Sequence, residues 1–91
     1  MKVSNLVGAE LDRAVSIAHG DENLKPVAYS TDWQFGGPLI ELAGISIYQG
    51  NLGGWYAALY GEEFKGPTPL VAAMRCYVWH IMGDESEQEA A

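Results

Sequence analysis

One stretch near the C-terminal end of the chain carries a complete set of helix signals. Thr68 is a suitable N-cap, Pro69 fits the first helical position, and Gly83 is typical of a residue that ends a helix. On a helical wheel one arc is apolar, and it consists of Leu70, Met74, Tyr77, Val78 and Ile81. Because a helix must bury such an arc, we expect it to face a sheet, with Ala72 and Trp79 pointing nearly opposite.

Apolar side chains at helical spacing predict a second helix over residues 5–19, which Gly20 is suited to end. Ser4 is the better N-cap candidate, and Val7 and Gly8 are alternative starts. We expect this helix to pack against the same sheet.

The middle of the chain predicts that sheet. Leu39–Leu42 and Ile45–Tyr48 flank Ala43–Gly44, which is typical of a tight hairpin, and Trp55–Tyr60 supplies a third strand. Residues 21–38 predict a long connection rich in Gly and Pro. Four apolar side chains should hold that connection to the body: Val27, Tyr29, Trp33 and Phe35. The expected fold is α+β, a small antiparallel sheet of about three strands packed against two helices.

Size and charge limit the classes of function. The 91 residues make one domain, placed at residues 1–83, and an acidic tail, residues 84–91, that is expected to be disordered. A net charge of −7 disfavours binding to a nucleic-acid backbone. No apolar run approaches the ~18–20 residues of a membrane span and no secretory signal is evident, so we expect a cytoplasmic protein with no membrane partner.

Residues suited to catalysis or metal binding are sparse. The carboxylate pairs Asp21–Glu22 and Glu62–Glu63 are typical of solvated surface, because neighbours in sequence rarely converge on one substrate atom. Cys76 and His80, four residues apart, offer two metal ligands where structural zinc takes four, and His19 is the only other nitrogen donor of this kind. We therefore predict no enzyme, no metal and no cofactor.

Several flat or polar side chains are better suited to binding a ligand. Aromatic stacking surfaces come from Trp33, Trp55, Tyr56 and Tyr60. The start of the helix at Thr68 favours an anion, and Arg75 is suited to hold a carboxylate or phosphate bidentately. The predicted ligand-binding residues are Asp32, Trp33, Gly36, Gly37, Trp55, Thr68 and Arg75.

These residues also have purely structural interpretations. Trp33 and Trp55 are of a type that often lies in a core, and Arg75 and Asp32 can form a buried ion pair. Trp79, at mid-helix and away from the apolar arc, predicts an interface with a partner or with a second copy of the chain.

Three motifs are distinctive in combination. They are Leu6-x-Gly8-x-x-Leu11-Asp12, then Ser30-Thr31-Asp32-Trp33 with Gly36-Gly37-Pro38, and finally Gly66-Pro67-Thr68-Pro69-Leu70 with Ala72-Ala73-Met74-Arg75. With these motifs residues 3–84 resemble the NinX-like family of small phage and prophage proteins, apart from Val7, where Thr is expected in the family. The resemblance implies shared positions at Asp32, Trp33, Gly36, Gly37, Pro38, Gly66, Thr68 and Arg75.

The resemblance implies an accessory protein of a temperate phage, present in the bacterial host cell. The leading hypothesis is a non-catalytic protein that counters host antiviral defence by sequestering a small ligand, such as a signalling nucleotide, between subunits of a homo-oligomer. The alternative is an inhibitor or adaptor that binds a host or phage protein through Trp79 and an acidic face, with mimicry of DNA charge as a variant.

Overall fold

The computed structural model describes residues 3–20 and 27–83. A short 3-10 turn and six elements follow in order: Val3–Asn5, then α1 (Gly8–His19), α2 (Trp33–Ala43), β1 (Ser46–Gln49), β2 (Trp55–Leu59), β3 (Glu62–Gly66) and α3 (Pro69–Met82). The predicted α+β class and three-stranded antiparallel sheet are confirmed, with a third helix in addition. The predicted tail at residues 84–91 lies outside the described residues.

The sheet has the order β1-β2-β3, and both pairings are antiparallel. Ile47, Ala57 and Phe64 are cross-strand partners on the face that packs against α3. One residue further on, Tyr48 is paired with Tyr56, and Tyr56 with Lys65. Because side chains alternate along a strand, this second row lies on the opposite, outer face.

Helix α3 lies at the centre of the molecule. Its residues 70–78 are all buried, because the sheet, α1, α2 and the 3-10 turn all pack against it. The predicted arc is therefore buried apart from Ile81, which is 48% exposed. The prediction that Ala72 and Trp79 face away was wrong: Ala72 is fully buried, and Trp79 is half-buried with its ring 5.7 Å from that of Phe64.

The predicted strand Leu39–Leu42 and the hairpin at Ala43–Gly44 were wrong, because these residues belong to α2 and its C-terminal cap. Asp32 starts α2 by accepting a hydrogen bond from the Gln34 backbone N–H at 2.9 Å. Gly44 ends it with φ 76°. The connection predicted over residues 21–38 was therefore too long at its C-terminal end, because residues 33–38 belong to α2.

Packing explains why α2 forms despite two glycines and Pro38, which lower helix propensity. Gly36 and Leu39 are buried on the side that contacts α3. The turn before the helix is fastened to α1, since the Ser30 backbone N–H donates to the Asp12 carboxylate at 2.8 Å. Tertiary contacts thus outweigh the local preference.

The chain that precedes α2 was expected to be held down by four apolar side chains. Tyr29 is buried and Val27 packs against the core, as predicted. Phe35 is 40% exposed, and its ring contacts that of Tyr29 edge to face with centroids 6.5 Å apart. Trp33 instead is 53% exposed.

Strands β1 and β2 match the predicted strands Ile45–Tyr48 and Trp55–Tyr60 to within one residue at each end. Strand β3 was not predicted, and it contains the acidic pair Glu62–Glu63. A two-residue turn, Tyr60–Gly61, joins β2 to β3, and both of its residues have positive φ, 53° and 82°. This is the twist that a tight hairpin requires.

Helix α1 begins at Gly8 rather than after Ser4. Val7 occupies the N-cap position without a side-chain hydrogen bond, so the alternative start is the correct one. The predicted end is confirmed, since Gly20 adopts a left-handed conformation there with φ 80°.

The two neighbouring glycines of α2 allow a matched test of its packing. A Cβ at Gly36 would overlap the Tyr29 carbonyl oxygen and the Leu70 side chain, whereas a Cβ at Gly37 would make only an ordinary contact with Trp33. We expect Gly36→Ala to destabilise the protein by ~1–3 kcal/mol and Gly37→Ala to stabilise it by ~0.5–1 kcal/mol. Urea unfolding followed by circular dichroism measures both, and equal effects of the two substitutions would contradict the placement of α2.

Tyr60 is the only non-glycine residue with positive φ in the described part of the chain. Its side chain is 78% exposed, so little packing offsets the unfavourable backbone. We expect Tyr60→Asn to raise the free energy of unfolding by ~0.5–1 kcal/mol, because Asn tolerates this conformation. Thermal unfolding measures the change, and a lower melting temperature than that of the natural protein would contradict this description of the turn.

Candidate functional site

Arg75 is the one charged residue in the buried stretch of α3, and it is 9% exposed. Its Nε–H donates to the Leu6 carbonyl at 2.8 Å, and Nη1 donates to the Lys65 carbonyl at 2.6 Å. The guanidinium thus connects the N-terminal segment, α3 and the edge strand β3.

The charge of Arg75 has no carboxylate partner within residues 3–20 and 27–83. The predicted ion pair with Asp32 is wrong, because the Asp32 carboxylate caps α2. Burial lowers the pKa of Arg75, since desolvation disfavours the charged form. Arginine nevertheless stays protonated in proteins, so the site holds an unneutralised positive charge.

A cavity of about 430 Å³ lies at this position, and its lining residues are Gly54, Lys65, Gly66, Pro67 and Arg75. Two of the three Lys and Arg residues in the described part of the chain therefore line one cavity. Backbone packing shapes it: a Cβ at Gly66 would lie 2.6 Å from the backbone nitrogen of Ala72. Strand β3 approaches the first turn of α3 so closely at this point that only glycine fits.

The structure brings two further predicted ligand residues near this cavity. Trp55 is the cross-strand partner of Gly66, and Thr68 directly follows Pro67. The Thr68 hydroxyl is already engaged, because it accepts a hydrogen bond from the Val71 backbone N–H at 3.1 Å and so caps α3. Neither side chain lines the cavity, whereas Arg75 does.

The other four predicted ligand residues, Asp32, Trp33, Gly36 and Gly37, lie at the start of α2 and do not line the cavity. Asp32 and Gly36 have clear structural roles there as a cap and as a close-packing position. The predicted ligand set is therefore spread over two places in the fold.

A second cavity of about 430 Å³ opens on the outer face of the sheet beside the β1–β2 loop. Its lining residues are Tyr48, Gln49, Gly50, Asn51, Leu52, Gly53, Tyr56, Glu63 and Lys65. The rings of Tyr48 and Tyr56 are stacked with centroids 5.5 Å apart and planes at 12°. The Tyr48 hydroxyl donates to the Glu63 carboxylate. Lys65 lines both cavities, so they are adjacent.

Sequence reasoning named Tyr56 as a stacking surface but missed Tyr48, Glu63 and Lys65. The signal was weak, because β3 carries charged residues and was not recognised as a strand. Only the strand register shows that Tyr48, Tyr56 and Lys65 form one row.

Three residues considered for a metal site or an interface, Cys76, Trp79 and His80, lie in the second half of α3. No group of three His, Cys, Asp or Glu side chains converges in the part of the chain that is described. Cys76 is fully buried, whereas His80 is exposed with its ring 5.4 Å from that of Tyr60. Trp79 is half-buried against the core, so the exposure that suggested an interface is absent.

The burial of Cys76 has a measurable consequence. Desolvation raises the pKa of its thiol to about 11, and the thiolate is the reactive form. We expect native protein at pH 8 to react with a thiol reagent such as Ellman's reagent at least ~100-fold more slowly than urea-unfolded protein. Because the folded pKa is the higher one, stability should also fall as pH rises from about 9 to about 11. Rapid reaction of the folded protein would contradict the placement of Cys76.

None of the helices in residues 3–20 and 27–83 has the length and apolar character needed to cross a bilayer. No curated protein matches the chain. The family model described as Bacteriophage P22, NinX matches residues 24–81, which is more than half of the chain and includes α2, the three strands and all of α3 except Met82. The motif in α1 lies outside the matched range, whereas those around Asp32 and Arg75 lie within it. This chain therefore belongs to the NinX family of phage proteins.

Proposed function

We propose that this phage protein binds an anionic small molecule at the Arg75 cavity and acts by sequestering it. The observation that carries the proposal is a buried arginine, 9% exposed, that lines a cavity and lacks a carboxylate partner among the described residues. Buried charges in proteins are normally paired, because an isolated charge in a region of low polarity costs several kcal/mol. An anionic ligand would supply the missing pairing.

The hydrogen bonds of Arg75 leave capacity for such a ligand. A guanidinium has five N–H donors. The Leu6 and Lys65 carbonyls accept one each, and these neutral groups orient the side chain without neutralising it. A phosphate suits the remaining donors, because its oxygens match the guanidinium geometry bidentately.

The second cation strengthens the case for an anion. The Lys65 side chain extends toward Gly54, so that a Cβ there would lie 3.1 Å from Cε of Lys65. It contributes a second positive charge to the cavity that Arg75 lines. This local positive charge is consistent with anion binding despite the net charge of −7, since interactions beyond a Debye length of ~8 Å are screened.

Sequestration is favoured over turnover by the chemistry of the cavity lining. Its residues, Gly54, Lys65, Gly66, Pro67 and Arg75, include no carboxylate, imidazole, thiol or hydroxyl, so the Lys65 amine has no second group in the lining with which to form a nucleophile–base pair. A small phage protein that holds an anion tightly would lower its free concentration in the host cytoplasm. A signalling nucleotide of a host defence system is the ligand that fits this role best.

One observation favours the alternative of a protein partner. Phe35, Pro38 and Leu42 follow one another at helical spacing on the outer side of α2, and Leu42 is 73% exposed. Exposed apolar side chains in a row are typical of surfaces that bind other proteins. An inhibitor or adaptor of this family would use α2 rather than Trp79.

Thermal shift against a ligand panel tests the proposal. The panel contains inorganic phosphate, mononucleotides, cyclic dinucleotides and ADP-ribose, with chloride at equal ionic strength as the reference. A ligand at 100 times its dissociation constant should stabilise the protein by ~2.7 kcal/mol. A flat panel with folded protein would contradict anion binding.

Two charge-matched variants locate the site. Lys65→Gln removes a cavity charge and leaves the Arg75 hydrogen bond intact, because that bond uses the Lys65 backbone carbonyl. Arg13→Gln removes an exposed charge of α1 that lines neither cavity. We expect the affinity for the anion that gives the largest thermal shift to fall about tenfold in Lys65→Gln and by less than about twofold in Arg13→Gln. Equal losses would show that only the overall charge matters.

A further inference from the structure

We propose that the Tyr48–Tyr56 cavity on the outer face of the sheet is a ring-binding subsite, and that the ligand is a nucleotide whose phosphate lies at Arg75. This inference rests on the proposed function and specifies the ligand class. The observation that carries it is that Lys65 lines both cavities, which places them side by side.

The two subsites are connected through Lys65. Tyr56 and Lys65 are directly paired on neighbouring strands, which lie ~4.8 Å apart. The Lys65 carbonyl is in turn 2.6 Å from Nη1 of Arg75. Lys65 therefore contacts both subsites, with its side chain at the outer cavity and its carbonyl at Arg75.

The outer cavity offers the groups that recognise a nucleobase. Tyr48 and Tyr56 form a stacked pair, and aromatic faces of this kind bind the flat surface of a base. Gln49 and Asn51 carry amides that both donate and accept hydrogen bonds, as the polar edge of a base requires. Tyr48 is 41% exposed, so its ring is accessible.

The loop between β1 and β2 holds this surface in place. A Cβ at Gly50 would lie 2.6 Å from Cε2 of Tyr56, so the loop backbone packs directly against the ring. Two loop hydrogen bonds, from Gly50 N–H to the Gly54 carbonyl at 3.1 Å and from Gly53 N–H to the Gly50 carbonyl at 3.3 Å, fix its course. The Tyr48 hydroxyl is fastened to Glu63, which orients the second ring.

A long nucleic-acid strand suits this surface less well than a single nucleotide. Strand binding depends on a row of positive charges along the backbone. Among the described residues, Lys65 lines both cavities and Arg75 lines one of them. The third positively charged side chain, Arg13, lies on α1 and lines neither cavity.

The test compares two probes that share a sugar and a phosphate and differ in the ring. AMP and ribose 5-phosphate are titrated calorimetrically into the natural protein and into variants. We expect AMP to bind about tenfold more tightly, since stacking on an aromatic pair contributes about one order of magnitude in affinity. We expect Tyr48→Leu to lose most of this preference while ribose 5-phosphate binds as before.

One tyrosine variant serves as the control. Tyr60→Leu removes an exposed tyrosine that follows the far end of β2, outside both cavities, and should retain the preference for AMP.

The outcomes separate the two proposals. If neither probe, nor inorganic phosphate, binds to folded protein, the proposed anion site is wrong. If ribose 5-phosphate and AMP bind equally, the anion site stands and the ring subsite is wrong. A preference for AMP that survives in Tyr48→Leu, or that disappears in Tyr60→Leu, would also overturn the ring subsite.

Discussion

A helix that is buried on every side must satisfy each polar group it carries, and α3 carries a full charge in that position. Arg75 satisfies its hydrogen-bonding needs with the carbonyls of Leu6 and Lys65. These two bonds join the N-terminal segment and the edge strand to the central helix. The fold thus depends on a guanidinium whose geometry is fixed by backbone groups and whose charge no carboxylate of the described residues balances.

The same arrangement creates the candidate site. Because Arg75 bonds to the backbone of Lys65, the side chain of Lys65 is free to extend between the two cavities. Gly66 brings β3 close to the start of α3, and this close approach forms one wall of the Arg75 cavity. The structural role and the proposed ligand-binding role therefore coincide in Arg75, whereas Lys65 and Tyr48, the other residues of the proposed site, lie outside the buried core.

The elements with strong local signals were predictable from the sequence. Thr68 and Gly83 delimit α3 as expected, and Gly20 ends α1. Leu39–Leu42 was assigned to a strand because a short apolar run has no decisive periodicity, and only the packing of Gly36 against Leu70 shows that it is helical. Strand β3 was missed because its sequence is charged and because Tyr60 is an unusual residue for a tight turn.

For the candidate site, the type of residue could be predicted but its neighbours could not. Arg75 is predicted from its type to bind an anion, whereas its observed partners depend on strand register and on the course of two loops. Asp32 illustrates the converse, since its carboxylate suggested a pairing with Arg75 and instead caps α2. The most direct measurement is an NMR spectrum that resolves the side-chain N–H groups of Arg75, recorded with phosphate and with chloride at equal ionic strength. The account predicts a saturable shift of the Arg75 resonances with phosphate alone, and unchanged resonances in the folded protein would contradict it.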